Sequence, residues 1–134
     1  YSSYQLSHKW KPNSNLHIHL HWEQAQNQTP NFLLEYRWQI NGGVKTTAWT
    51  RAKISTNAFT YVSGTLNQIT EVEITPPVGY NISDIIQVRL LRDNTNASTL
   101  FAGADPYTTD INVTSADIHI ECDTLGSETE YSKY

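Results

Sequence analysis

The sequence predicts an all-β fold, an antiparallel β-sandwich of jelly-roll type with seven or eight strands. Three observations carry this. Apolar and polar residues alternate with a period of two in nearly every segment, the mark of a strand with one buried face. The breaks between segments are rich in Gly, Pro, Asn and Asp, the residues that turn a chain. No segment keeps a helical period with caps, and strand-favouring aromatics are plentiful, with 8 Tyr and 4 Trp. The candidate strands recur about every ten residues, the spacing of sandwiches and barrels.

The first candidate runs from Asn15 to Trp22, with Ile18, Leu20 and Trp22 on one face and His17, His19 and His21 on the other. After a polar loop through Gln24 to Pro30, Phe32, Leu34, Tyr36, Trp38 and Ile40 share a face, opposite Glu35, Arg37 and Gln39. Asn41-Gly42-Gly43 supplies the positive φ of a tight hairpin. A return strand is expected from Val44 to Ile54, with Trp49 as its core residue. A short strand is expected around Phe59 and Tyr61, ending at Ser63-Gly64. Val72 and Ile74 oppose Glu71 and Glu73 in a strand over Ile69 to Ile74, closed by Pro76-Pro77. Ile85 to Leu91 is strongly apolar. In the last strand, Ser115 to Cys122, Asp117, His119 and Glu121 alternate with Ile118, Ile120 and Cys122.

One domain is expected over 1–125, followed by a polar tail over 126–134. The tyrosine at position 1 follows no initiator Met and opens no signal-like stretch, which is the expectation of a piece cut from a longer polypeptide or processed. A net charge of -4 with only 16% charged residues argues against nucleic acid and anionic membrane partners. No apolar stretch approaches the roughly 20 residues of a membrane span. The single cysteine, Cys122, excludes an internal disulfide and a Cys-rich zinc site, and its apolar side of the strand reads as a buried, inert thiol. Sequons at Asn27, Asn81, Asn96 and Asn112 matter only in a glycosylating cell.

The histidines pose the functional question. Three of the five lie on one face of one strand. In a jelly roll an early strand and the last strand commonly lie side by side, so His17, His19 and His21 are expected to share a face with Asp117, His119 and Glu121. Three readings fit that face: a solvated outer surface, an interface with another copy of the chain, or a metal site of imidazole nitrogen and carboxylate oxygen. The metal candidates are His17, His19, His21 and His119. The interface candidates are the same histidines with Asp117 and Glu121.

Enzyme signals are sparse. His17-x-His19-x-x-x-Glu23 is similar to part of the cupin metal pattern, which keeps a cupin-like metal-dependent enzyme as one alternative. The glycine before the first histidine and the second half of that pattern are missing. No nucleophile elbow, phosphate loop or His-Glu-x-x-His occurs. A carbohydrate-binding module is the other alternative. Its candidates are Trp10, Tyr80 and Tyr107, aromatics in polar, loop-like contexts; for each the competing reading is packing onto the sandwich edge. The loop from Phe101 to Tyr107 has the small residues of a tight, shaped crossing.

Several stretches together resemble a family of tailed-bacteriophage virion proteins. These are Ser7-His8-Lys9-Trp10-Lys11, Leu16 to Trp22, Phe32 to Trp38, Asp84 to Arg92 and Ser115 to Gly126. The family frame His-x-His-Trp … Asp-x-Leu-Gly-Ser is matched by His19-Leu20-His21-Trp22 and Asp123-Thr124-Leu125-Gly126-Ser127. Where relatives place Pro-His-x-His before the Trp, this chain has His17-Ile18-His19-Leu20-His21. The resemblance implies a non-enzymatic domain on the virion surface, in a tail fibre, tailspike or head appendage. It further implies a trimer that contacts other virion proteins and a host-surface glycan. By parallel with fibre tips that hold iron or zinc on a threefold axis, it implies His19 and His21 as axial ligands, with His17 next.

Overall fold

The computed structural model describes residues 2–44, 46–54 and 67–123. Seven strands run through them: β1 (Ser2–Gln5), β2 (Leu16–Glu23), β3 (Phe32–Gln39), β4 (Thr50–Lys53), β5 (Asn67–Ile74), β6 (Ile85–Arg92) and β7 (Asn112–Ile120). All pairings are antiparallel. They build a four-stranded sheet, β1-β6-β3-β4, and a three-stranded sheet, β5-β2-β7. The two sheets pack face to face, so the fold is a β-sandwich. No helix of the described residues is long and apolar enough to cross a membrane. The strand expected around Phe59 and Tyr61 and the tail over 126–134 lie outside the described residues.

Alternation sets which residues fill the interior. From the three-stranded sheet come Leu16, Ile18, Leu20 and Trp22 of β2 with Val72 and Ile74 of β5. From the other sheet come Phe32, Leu34 and Trp38 of β3 with Ile86 and Val88 of β6. Each such aliphatic side chain contributes about 1.5–3 kcal/mol by leaving water. Trp22 meets Phe32 and Tyr107 edge-on, at centroid distances of 5.3 and 6.0 Å.

The expected neighbourhood of an early and a late strand is present. β2 lies between β5 and β7, bonded to both through its whole length. It is therefore a central strand, paired on both sides, and its outward side chains occupy the middle column of that sheet's outer face. A bulge between His21 and Trp22 shifts the β7 register, so His21 opposes Ser115 and Trp22 opposes Val113.

Three expectations are corrected, and one strand is new. Trp49 is not a core residue: β4 begins only at Thr50, and the Trp49 ring packs against the guanidinium groups of Arg37 and Arg89, at 4.4 and 4.3 Å. Ile40 follows the end of β3 and is exposed, since no sheet neighbour covers it there. β1 has no apolar alternation yet pairs with β6 as an edge strand, with Tyr4 packed against the core. Cys122 lies beyond β7, in an isolated bridge to Trp10, and is an exposed free thiol. The hairpin turn does use glycine as expected, with Gly42 at φ 74°.

Candidate functional site

The outer face of β5-β2-β7 is a grid written by two registers. Its rows are Glu73, His17 and His119; then Glu71, His19 and Asp117; then Ile69, His21 and Ser115. The period of two puts all nine outward, because the alternate set is the core. The grid has four imidazoles, three carboxylates and no lysine or arginine.

Each imidazole finds a carboxylate. His19 Nε2 is 3.1 Å from Glu71 Oε2. His17 reaches Glu71 at 3.8 Å through Nδ1 and Glu73 at 3.6 Å through Nε2. Asp117 serves two histidines, with Oδ1 3.6 Å from His21 Nε2 and Oδ2 3.2 Å from His119 Nε2. The His19 and His119 rings stack with centroids 4.0 Å apart and planes tilted by 32°. All four histidines are partly open to solvent; His19, in the centre, is the least exposed at 19%. These are surface contacts in a water-like dielectric, each worth at most about 1 kcal/mol to folding.

The sequence-predicted residues divide as follows. His17, His19, His21, Asp117 and His119 come together on one face. Glu121 leaves the group: it follows the end of β7 and its carboxylate is held by Lys11 Nζ at 2.6 Å. That contact raises the Lys11 pKa. Glu71 and Glu73 were not anticipated here. Their alternation with Val72 and Ile74 was the available signal, but the sequence alone does not say which strand lies beside β2.

Of the aromatic binding candidates, Trp10 and Tyr107 are corrected to core. Their side chains are 0% and 1% exposed, so neither offers a ring face to a sugar. The Tyr107 hydroxyl accepts the Ala25 backbone N–H at 2.6 Å, and the Arg92 guanidinium binds the Tyr107 carbonyl oxygen and the Asp105 carboxylate. The loop they belong to closes the end of the sandwich. Tyr80 keeps part of its surface open, while its ring packs on Trp38 at 5.0 Å. Burial, followed by the nearby Asp84 charge, pushes its hydroxyl pKa up.

The cupin-like arrangement is not present. His17 and His19 face outward from a sandwich whose interior is filled by Ile18, Leu20 and Trp22. The Glu23 carboxylate instead accepts the Asn112 side-chain amide at 2.8 Å.

A second polar cluster occupies the opposite outer face. Glu35 is only 3% exposed and accepts hydrogen bonds from Arg51, at 2.7 Å, and from Arg89. Burial alone would raise its pKa, but these two arginines overcome that and hold the carboxyl below its usual value.

Comparison of the chain with protein-family models, with curated proteins and with solved structures finds no match.

Proposed function

We propose that this chain is a non-enzymatic domain of a tailed-bacteriophage particle, serving assembly or host attachment in a fibre, tailspike or head appendage. In this reading it acts as a homo-oligomer, with a trimer favoured, and the grid on β5-β2-β7 is buried against a neighbouring subunit. The virion assignment is supported by the resemblance along the sequence. The interface is supported by one structural observation. The grid sets imidazoles beside carboxylate acceptors, with Ile69, 49% exposed, at its margin. A face with both donors and acceptors can meet the same face of neighbouring copies grouped around a threefold axis, donors of one chain against acceptors of the next. An exposed isoleucine in line with partly open imidazoles gains more from such burial than from water.

The test is the native mass of the purified chain and of an Ile69→Asp, His21→Asp variant. The wild type is expected to be a trimer, and the variant, with two added carboxylates on a face that already holds three, a folded monomer. A monomeric wild type, or a variant that keeps the trimer, contradicts the interface.

A further inference from the structure

We infer that His19, Asp117 and His119 form a binding site for a divalent transition metal of the zinc class, complete in its protein ligands within one chain. Among the described residues, each of the three brings one potential ligand atom, and these atoms all lie within 4.8 Å of one another. Their convergence follows from the ladder. Asp117 is the direct cross-strand partner of His19, and His119 stands two residues along β7 on the same face. A tetrahedral zinc site with ligand bonds of about 2.0–2.2 Å needs its ligand atoms about 3.3–3.6 Å apart. Small side-chain rotations of partly exposed residues cover the difference, with no movement of the strands.

A second observation points to the same place. Asp117 Oδ1 is itself shielded from solvent and has no hydrogen-bond partner, with His21 Nε2 3.6 Å away, although the side chain as a whole is 46% exposed. A carboxylate oxygen withdrawn from water without a hydrogen bond is costly. A cation beside Asp117 offsets that cost, and it also answers the three carboxylates of the grid, which no lysine or arginine within it neutralises. Two imidazoles and one carboxylate are a donor set suited to zinc and its late first-row neighbours, and poorly suited to calcium or magnesium, which take oxygen ligands. With Nδ1 as the ligand atom of His19, Glu71, 3.1 Å from Nε2, fixes the orientation of that ring. Three protein ligands leave one coordination position open on the outer surface, for water in the isolated chain.

This site differs from an axial one, in which each of three chains supplies part of a shared shell. It does not rest on the assembly reading, since native mass reports on one and metal stoichiometry on the other.

Calorimetric titration of the chelator-treated full chain with zinc tests the proposal, together with cobalt titration read by the visible absorption of tetrahedral cobalt. One ion per chain is expected. Asp117→Asn, His19→Ala and His119→Ala should each weaken binding by about tenfold or more, while His17→Ala leaves it nearly unchanged. Circular dichroism and thermal unfolding of each variant separate loss of a ligand from loss of fold, and Asp117→Asn keeps the side-chain shape. Three outcomes overturn the proposal: no saturable binding up to millimolar zinc, a stoichiometry of one ion per three chains, or binding that survives Asp117→Asn and His119→Ala but is lost in His17→Ala.

Discussion

His19 and Asp117 stand directly opposite each other across the β2–β7 ladder. That single register match has two consequences. On the inner face it stacks Ile18 against Ile118 and Leu20 against Ala116. On the outer face it brings His119 over His19 and leaves Asp117 between two histidines. A slip of one residue would send the imidazoles inward and the core outward, so burial of the inner face is what holds the polar face in place.

Trp22 is the anchor of that inner face, at the end of β2 and edge-on to both Phe32 and Tyr107. Trp22→Ala is expected to destabilise the fold by about 3–5 kcal/mol through lost burial and the cavity left behind. The shift in the urea unfolding midpoint checks this.

Tyr107 separates a packing role from a sugar-binding one. Tyr107→Phe keeps the ring but leaves the Ala25 N–H without its acceptor, and is expected to cost about 1–2 kcal/mol in urea unfolding. Glycan-array signal, if any is present, should not change, because the ring is buried in the wild type.

Glu35 makes acid a destabilising condition. Its pKa is below the ordinary 4.5 in the folded chain, so its contribution is fully present above that value and is lost as pH falls through the lower folded one. Glu35→Gln is expected to lower stability at about pH 7 and to flatten the decline between about pH 5 and pH 2. Urea unfolding of both proteins across that range checks it. A variant whose stability falls with acid as steeply as the wild type would assign the acid sensitivity to other carboxylates, such as Asp93. That carboxyl is held below its usual value first by the Ser98 side chain and then, against burial, by the Ser98 and Ala97 backbone N–H groups.

β2 was legible in the sequence because both of its faces are strict: every inward residue is large and apolar, and every outward one before Glu23 is histidine. The same clarity in β7 marked Asp117 and His119 as their company. Trp49 misled because alternation carries meaning only inside a paired strand, and β4 starts one residue later. Trp10 and Tyr107 sit among polar neighbours in sequence, yet both rings fold into the core, Tyr107 on a segment braced by Arg92. Glu71 and Glu73 were readable as a polar face, but their contact with histidine depends on strand order, which is set by the packing of the whole sandwich. Glu35 was placed outward correctly, and its burial comes from Arg51 and Arg89, contributed by two other strands.

Histidine carbethoxylation of the purified wild-type chain, read by peptide mass spectrometry in the presence of chelator, reports whether the β5-β2-β7 face is covered by a neighbouring subunit, as proposed. His17, His19, His21 and His119 are expected to react several-fold more slowly in the assembly than in the Ile69→Asp, His21→Asp variant (for those that remain), while His8, bonded to Ser83 away from this face, reacts equally in both. Equal reactivity of the grid histidines in assembly and variant would place the face in solvent and contradict the account.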